Sequence, residues 1–152
     1  MYIIYNLLMI GAFFLVMPYF IYRSICEKGF TRRMRQSLGG IRDEEIEAVA
    51  LKGCIWIHGA SVGEIVATSP LVKEIRKAMP EIPILVSAVT VGGYDMARQI
   101  IPEADAIIYF PLDLPFVSES VVKRIRPRIF YAGRNSSCGL IFCVRCVNAI
   151  FR

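Results

Sequence analysis

Hydrophobic and polar positions along this chain fall into blocks whose period changes. The first block, Met1 to Tyr22, carries no charged side chain, and Arg23 is the first. A helix rising about 1.5 Å per residue over that length reaches across the roughly 30 Å hydrocarbon core of a bilayer, so a membrane anchor is expected over residues 1–22. Tyr19, Phe20 and Tyr22 make an aromatic belt at its end, where Pro18 is tolerable. A cleaved signal peptide would need a basic stretch before the apolar run and small residues at a cleavage site, and neither is present.

After residues 23–51, which are first basic and then acidic, the pattern alternates between short apolar runs and helical periodicity. Gly53 to Ile57 reads as a buried strand. The spacing after Glu64 places Leu71, Val72, Ile75 and Met79 on one helix face, with Pro70 as a kink and Pro80 as a stop. Pro83 to Val89 is a second strand, and Thr90-Val91-Gly92-Gly93 turns into a helix through Met96 and Ile100. Ala106 to Phe110 is a third strand. Pro111-Leu112-Asp113-Leu114-Pro115 turns into a helix carrying Val117, Val121, Val122 and Ile125, and Pro127 to Phe130 opens a fourth strand. Strand and helix in alternation predict an α/β fold with a parallel sheet.

Composition adds the anchor's context. With 152 residues the chain is one domain long, yet 55% of it is hydrophobic and its mean hydropathy is +0.51. The net charge of +5 is concentrated after the apolar run, at Arg23, Lys28, Arg32, Arg33 and Arg35. By the positive-inside rule these residues hold the following chain in the cytoplasm, giving a single-pass inner-membrane protein, and anionic headgroups attract each by about 1 kcal/mol. Nucleic acid is a poor partner, because no recognition helix or aromatic platform accompanies the charge. Asp43-Glu44-Glu45-Ile46-Glu47 then reverses the sign and reads as a solvated connector ending near Leu51.

The candidate chemistry lies in His58-Gly59-Ala60-Ser61-Val62-Gly63-Glu64, which follows the first strand and opens a helix. Small residues there let a substrate approach the backbone, and in an open parallel sheet the ligand crevice lies beyond the carboxyl ends of the strands. Three segments converge at that end: His58 to Glu64, Thr90 to Gly93, and Pro111 to Pro115. Ser61-x-x-Glu64 is also a capping box, and on spacing alone the cap is the better reading of Glu64. His58 is the only histidine, so a histidine metal site is excluded, and a strand-end packing role suits it best. No G-x-G-x-x-G or Walker A loop occurs, so no cofactor and no bound metal are expected.

In this order the anchor, the basic run, Ile55-Trp56-Ile57-His58, Ala60-Ser61-Val62-Gly63-Glu64, Thr90 with Gly93, Pro111 to Pro115 and Arg126-Pro127-Arg128 resemble the N-terminal half of 3-deoxy-D-manno-octulosonic acid (Kdo) transferases. The resemblance covers Met1 to about Phe130. It implies the N-terminal Rossmann-like domain of a GT-B glycosyltransferase, which receives the lipid A precursor (lipid IVA), while a C-terminal domain holds the donor CMP-Kdo. Transfer is then inverting and needs no protein-bound metal. Glu64 matches the family's general base, which reverses the order of its two readings. Ser61, Gly63, Thr90, Gly93 and Asp113 fall on the acceptor side.

The chain departs from that pattern after Phe130. Tyr131-Ala132-Gly133-Arg134-Asn135-Ser136-Ser137 stands where a Glu-Thr-Glu-Leu-Trp-Pro-Asn segment is expected, with Arg134 in place of its first Glu. Cys138, Cys143 and Cys146 crowd into the remainder. Residues 131–152 therefore read as a divergent tail of the kind out-of-frame coding produces, behind an incomplete domain over 52–130. Its C-x4-C-x2-C spacing coincides with part of an iron–sulfur pattern, but no further Cys follows. These features imply a truncated and inactive transferase; the alternative is a non-catalytic, membrane-tethered α/β fragment that binds anionic lipid.

Overall fold

The computed structural model describes residues 11, 13–19, 21–22, 25–26, 29–50 and 53–133. The chain divides into two compact units, residues 1–32 and 33–152. Most of the expected anchor, and the whole stretch from Arg134 to Arg152, lie outside the described residues. Among the described residues no helix is long and apolar enough to cross a membrane.

The second unit is a parallel four-stranded sheet with helices on both faces. Helix α1 (Phe30–Ser37) begins at the unit boundary, and α2 (Asp43–Ala50) follows. Then come β1 (Ile55–Gly59), α3 (Val62–Ala78), β2 (Ile84–Ala88), α4 (Val91–Ile100), β3 (Ala106–Tyr109), α5 (Pro115–Ile125) and β4 (Ile129–Ala132). The strand order is β3-β2-β1-β4, so the chain winds outward on one side of β1 and returns to its other side. Registers such as Ile57↔Val86 and Ile57↔Tyr131 fix β1 at the centre of this crossover.

Strands buried on both faces need continuous apolar runs rather than alternation, and β1 and β2 are buried at every position. Successive side chains feed two separate cores. Ile55, Ile57, Ile84 and Val86 pack with Ile65 and Val72 of α3 and Tyr94 and Ala97 of α4. Trp56, Leu85 and Ile108 pack on the opposite face with Val121, Val122 and Ile125 of α5 and Ile46 and Val49 of α2.

In place of the solvated connector expected over Asp43 to Leu51, residues 43–50 form α2, which buries Ile46 and Val49, and Ile41 before it is buried as well. Acidic residues in the first turn suit the positive end of the helix dipole, while two apolar residues three apart supply the buried stripe. The charge run is the outer face of a core helix. The expected boundary at residue 130 also falls inside a strand, since Tyr131 and Ala132 pair with Ile57 and His58.

The buried face of α3 differs from its expected stripe at one position. Val72 is fully buried there, and Ile75 and Met79 pack against the same core, but Leu71 points away and is exposed. A buttress closes the amino end of the sheet. Arg76 of α3 donates to the carbonyls of Pro80, Ile82 and Glu103 and to the Asp105 carboxylate, which also accepts the Ile84 N–H.

Candidate active site

The crossover puts the switch point of the sheet between β1 and β4, where a crevice opens beyond the strand ends. A cleft of about 470 Å³ occupies this place. Its upper wall is Ser61, Gly63 and Glu64 from the start of α3. Ala67, Thr68 and Leu71 continue it down the helix, and Tyr131 of β4 and Gly133 just after it close it from the other side.

Backbone packing delivers Glu64 to this position. A Cβ on Gly59 would lie 3.0 Å from Ile65 Cδ1, 3.2 Å from Ile65 N and 3.4 Å from the Glu64 carbonyl carbon, so any side chain there would press on the start of α3. Gly63 behaves in the opposite way. Nothing lies within 4 Å of a Cβ built there, so its glycine leaves room in the cleft.

The capping box forms only in part. Ser61 is the N-cap, with extended backbone, but its hydroxyl makes no cap hydrogen bond. The Glu64 Oε2 accepts the Ala60 N–H at 2.9 Å, one residue earlier than a capping box requires. One carboxylate oxygen is therefore anchored. Oε1 has no hydrogen-bond partner among the described residues, and the side chain is half-buried at the mouth of the cleft.

Thr90, Gly93 and Asp113 lie beyond the same strand ends but do not line this cleft. Thr90 caps α4, its hydroxyl accepting the Gly93 N–H at 3.1 Å. A Cβ on Gly93 would meet Thr90 Oγ1 at 3.0 Å and the Ser61 carbonyl carbon at 3.6 Å. These two residues seat α4 against the Ser61 turn and so support the cleft from behind. Asp113 stands half-buried before α5.

His58 is fully buried at the end of β1, as its packing reading expected. Trp56 Nε1 donates to Ser87 Oγ at 2.8 Å, and that hydroxyl lies 3.1 Å from His58 Nδ1. An indole N–H can only donate, so the Ser87 hydroxyl accepts from Trp56 and the same hydroxyl partners Nδ1 of His58, while Nε2 is buried without a partner among the described residues. The ring lies 4.0 Å from that of Phe110. Burial lowers its pKa to about 4, against a smaller upward pull from Ser87 and the Glu64 carboxylate. A neutral buried imidazole with one partnered nitrogen braces the strand end. The His58 carbonyl completes the brace by accepting the Gly133 N–H at 3.0 Å.

Cys54 is buried at the foot of β1, where desolvation pushes its thiol up to about 12 and leaves it unreactive. Among the described residues no group of three or more His, Cys, Asp or Glu could hold a metal ion. Arg134, Cys138, Cys143 and Cys146 lie outside the described residues.

Sequence reasoning missed the lower half of the cleft. Ala67, Thr68 and Leu71 follow Glu64 at helical spacing, and Tyr131 of β4 is followed two residues on by Gly133, just past the strand end. Both periodicities are written in the sequence. Their meeting depends on β4 lying beside β1, which no local pattern states.

Residues 31–134 match the family model for 3-deoxy-D-manno-octulosonic-acid transferase (kdotransferase). The 3-deoxy-D-manno-octulosonic acid transferase of Chlamydophila psittaci is 30% identical over 130 residues, covering 83% of this chain and 29% of the relative. That of Chlamydia muridarum is 27% identical with the same coverage. That of Haemophilus influenzae is 32% identical over 75 residues, 49% of this chain and 18% of the relative. The chain spans under a third of the length of these curated relatives. With 104 consecutive residues carried by the family model, from the end of the basic run through β4, the chain belongs to the Kdo transferase family.

Proposed function

We propose that this chain is the acceptor-side part of a Kdo transferase of lipopolysaccharide synthesis, and that Glu64 is its general base. The observation that carries the proposal is the half-anchored carboxylate at the switch-point cleft. Oε2 is held by the Ala60 N–H, which fixes the group, and the second oxygen is free to take a proton. General base catalysis asks for that arrangement: a carboxylate within reach of a hydroxyl, oriented before substrate arrives.

In this reading a hydroxyl of the lipid A precursor (lipid IVA) enters the cleft beside Gly63. Its oxygen attacks the anomeric carbon of Kdo, forming the new C–O bond as the bond from that carbon to the CMP phosphate breaks. The hydroxyl proton passes to Glu64, and CMP leaves with the electron pair. Attack from the face opposite the departing CMP inverts the configuration. CMP-Kdo would be held by the second Rossmann-like domain of a GT-B enzyme, which the region matched here does not include.

The N-terminal run fits the same reading. Twenty-two residues without a charge, followed by Arg23 and its basic neighbours, suit an inner-membrane anchor with the catalytic part on the cytoplasmic side. Phe14 and Leu15 are 70% and 81% exposed, surfaces that lipid would cover. Such an anchor would keep the cleft near a lipid acceptor.

Glu64→Gln tests the base in a chimera that continues this chain after Gly133 with the remaining part of the Haemophilus influenzae relative. Glutamine can still accept the Ala60 N–H, so folding should hold. Turnover should fall by roughly 10²- to 10⁴-fold, the usual worth of a general base. A stable Glu64→Gln chimera working at the parental rate would end the assignment.

A further inference from the structure

The cleft has a feature that the base does not explain. Tyr131 stands on the open face of β4, paired in register with Ile57, and is 42% exposed although Ile57 is fully buried. It lines the cleft together with Leu71, which is 37% exposed on the facing side of α3. Leu71 is seven residues from Glu64 on the same helix, about 10.5 Å along its axis. The cleft thus has a carboxylate at its upper end and an aromatic and aliphatic pair below it. The one intervening buried polar side chain, Thr68, turns its hydroxyl back to the Ile65 carbonyl at 3.0 Å.

Ile129 and Tyr131 are both left half-exposed on this face of β4, and of the two Tyr131 is the one that lines the cleft. The opposite face of β4 supplies core contacts through Phe130, whose ring meets that of Trp56 at 5.5 Å. Tyr131 offers a flat, negatively polarised surface. The complementary ligand surface is the C–H face of a pyranose ring, whose hydrogens are weakly positive and which stacks without needing directed hydrogen bonds. Stacking a ring there would leave its hydroxyls directed along the cleft, toward Glu64 and the exposed Ser61 hydroxyl.

We infer that Tyr131 is the platform on which the acceptor's sugar ring lies, with Leu71 as the second wall, so that a hydroxyl of that ring meets Glu64. This rests on the acceptor-side reading above and adds a binding residue to it.

The test uses the full 152-residue chain in detergent and a defined probe, the deacylated, bisphosphorylated glucosamine disaccharide of the lipid A precursor. Binding is followed by titration and by saturation transfer from protein aromatic protons to the sugar C–H protons. The parent should bind and show transfer to one face of a ring. Tyr131→Phe should bind as the parent does, and Tyr131→Ser should weaken binding about three- to tenfold, the worth of one aromatic contact, with the transfer signal lost. Phe116→Ser, at an exposed position outside the cleft, should change nothing, and Trp56 fluorescence should report an unaltered fold in each variant. Equal affinity for the parent and Tyr131→Ser would overturn the platform and leave the acceptor reading standing. A parent that does not bind the disaccharide would overturn both.

Discussion

The two edges of the sheet are built differently. On the β3 side the edge is closed: the Phe110 N–H reaches inward to the Ala88 carbonyl, so the N–H of Tyr109 points outward, and Gln36 of α1 meets it at 2.8 Å. Gln36 is fully buried, and Ser37 adds a hydrogen bond from its hydroxyl to the Phe110 carbonyl. On the β4 side, Ile129 and Tyr131 are 52% and 42% exposed, and the strand borders the cleft. An unpaired strand edge invites wrong partners, and α1 blunts one of the two. Among the described residues, the contrast teaches that α1 serves the fold by closing one edge, while β4 borders the site.

The strand shared by both sides should show the largest response, at His58. Unfolded, this histidine takes its proton near pH 6.5, whereas folded it resists until about pH 4. The unfolded state therefore binds more protons in that window, and stability falls as the pH drops through it and levels off below. The loss is about 3 kcal/mol by proton linkage. Urea unfolding of the parent and of His58→Asn, compared at pH 7 and pH 4.5, should show this acid-dependent difference only in the parent. A parallel response in both would place the acid sensitivity elsewhere.

At the closed edge, Gln36→Leu keeps the size and removes the acceptor of the Tyr109 N–H. A buried donor left unpaired costs about 1–3 kcal/mol. The midpoint of urea unfolding should drop accordingly, and hydrogen exchange should accelerate at the Tyr109 amide. An unchanged midpoint would mean that α1 does not close the edge.

Where the two halves meet, Gly59→Ala puts a methyl group against the backbone of Glu64 and Ile65. Overpacking of this kind costs about 1–3 kcal/mol. It should also displace Glu64, so in the chimera activity should fall further than stability predicts. Activity and stability falling strictly together would argue against a positioning role.

The smallest effect is expected at the open edge. Tyr131→Ser removes a half-exposed side chain and should change stability by no more than about 0.5 kcal/mol. A loss of several times that size would show the β4 face to be covered by something that the described residues do not include.

Much of this was legible in the sequence, and particular residues show why. The apolar runs around Ile57, Val86 and Ile108 announce strands because buried parallel strands cannot alternate, and the β-α-β rhythm implies a parallel sheet. The helix beginning near Glu64 follows from its small N-terminal residues and spacing, and the turn from Thr90 to Gly93 into the next helix likewise, though the cap bond itself appears only in the fold. Local periodicity also misled. Asp43 to Glu47 carries enough charge to hide Ile46 and Val49, whose burial depends on α5 packing nearby. Leu71 satisfies the same helical stripe as Val72 but falls on the cleft side, because α3 lies beside a strand that comes 58 residues later in the chain.

The sequence by itself determined the strands and helices from β1 onward, the family to which the chain belongs, and the presence of a carboxylate where a strand gives way to a helix. These are short-range properties, fixed by period and residue type. Only the tertiary structure decided that β4 returns beside β1, that Glu64 is tied to Ala60 rather than Ser61, and that Tyr131 faces the same cleft. Each depends on contacts between residues far apart in the chain or on an atom-level choice between neighbouring donors. Packing makes those selections, and sequence pattern does not encode them one residue at a time.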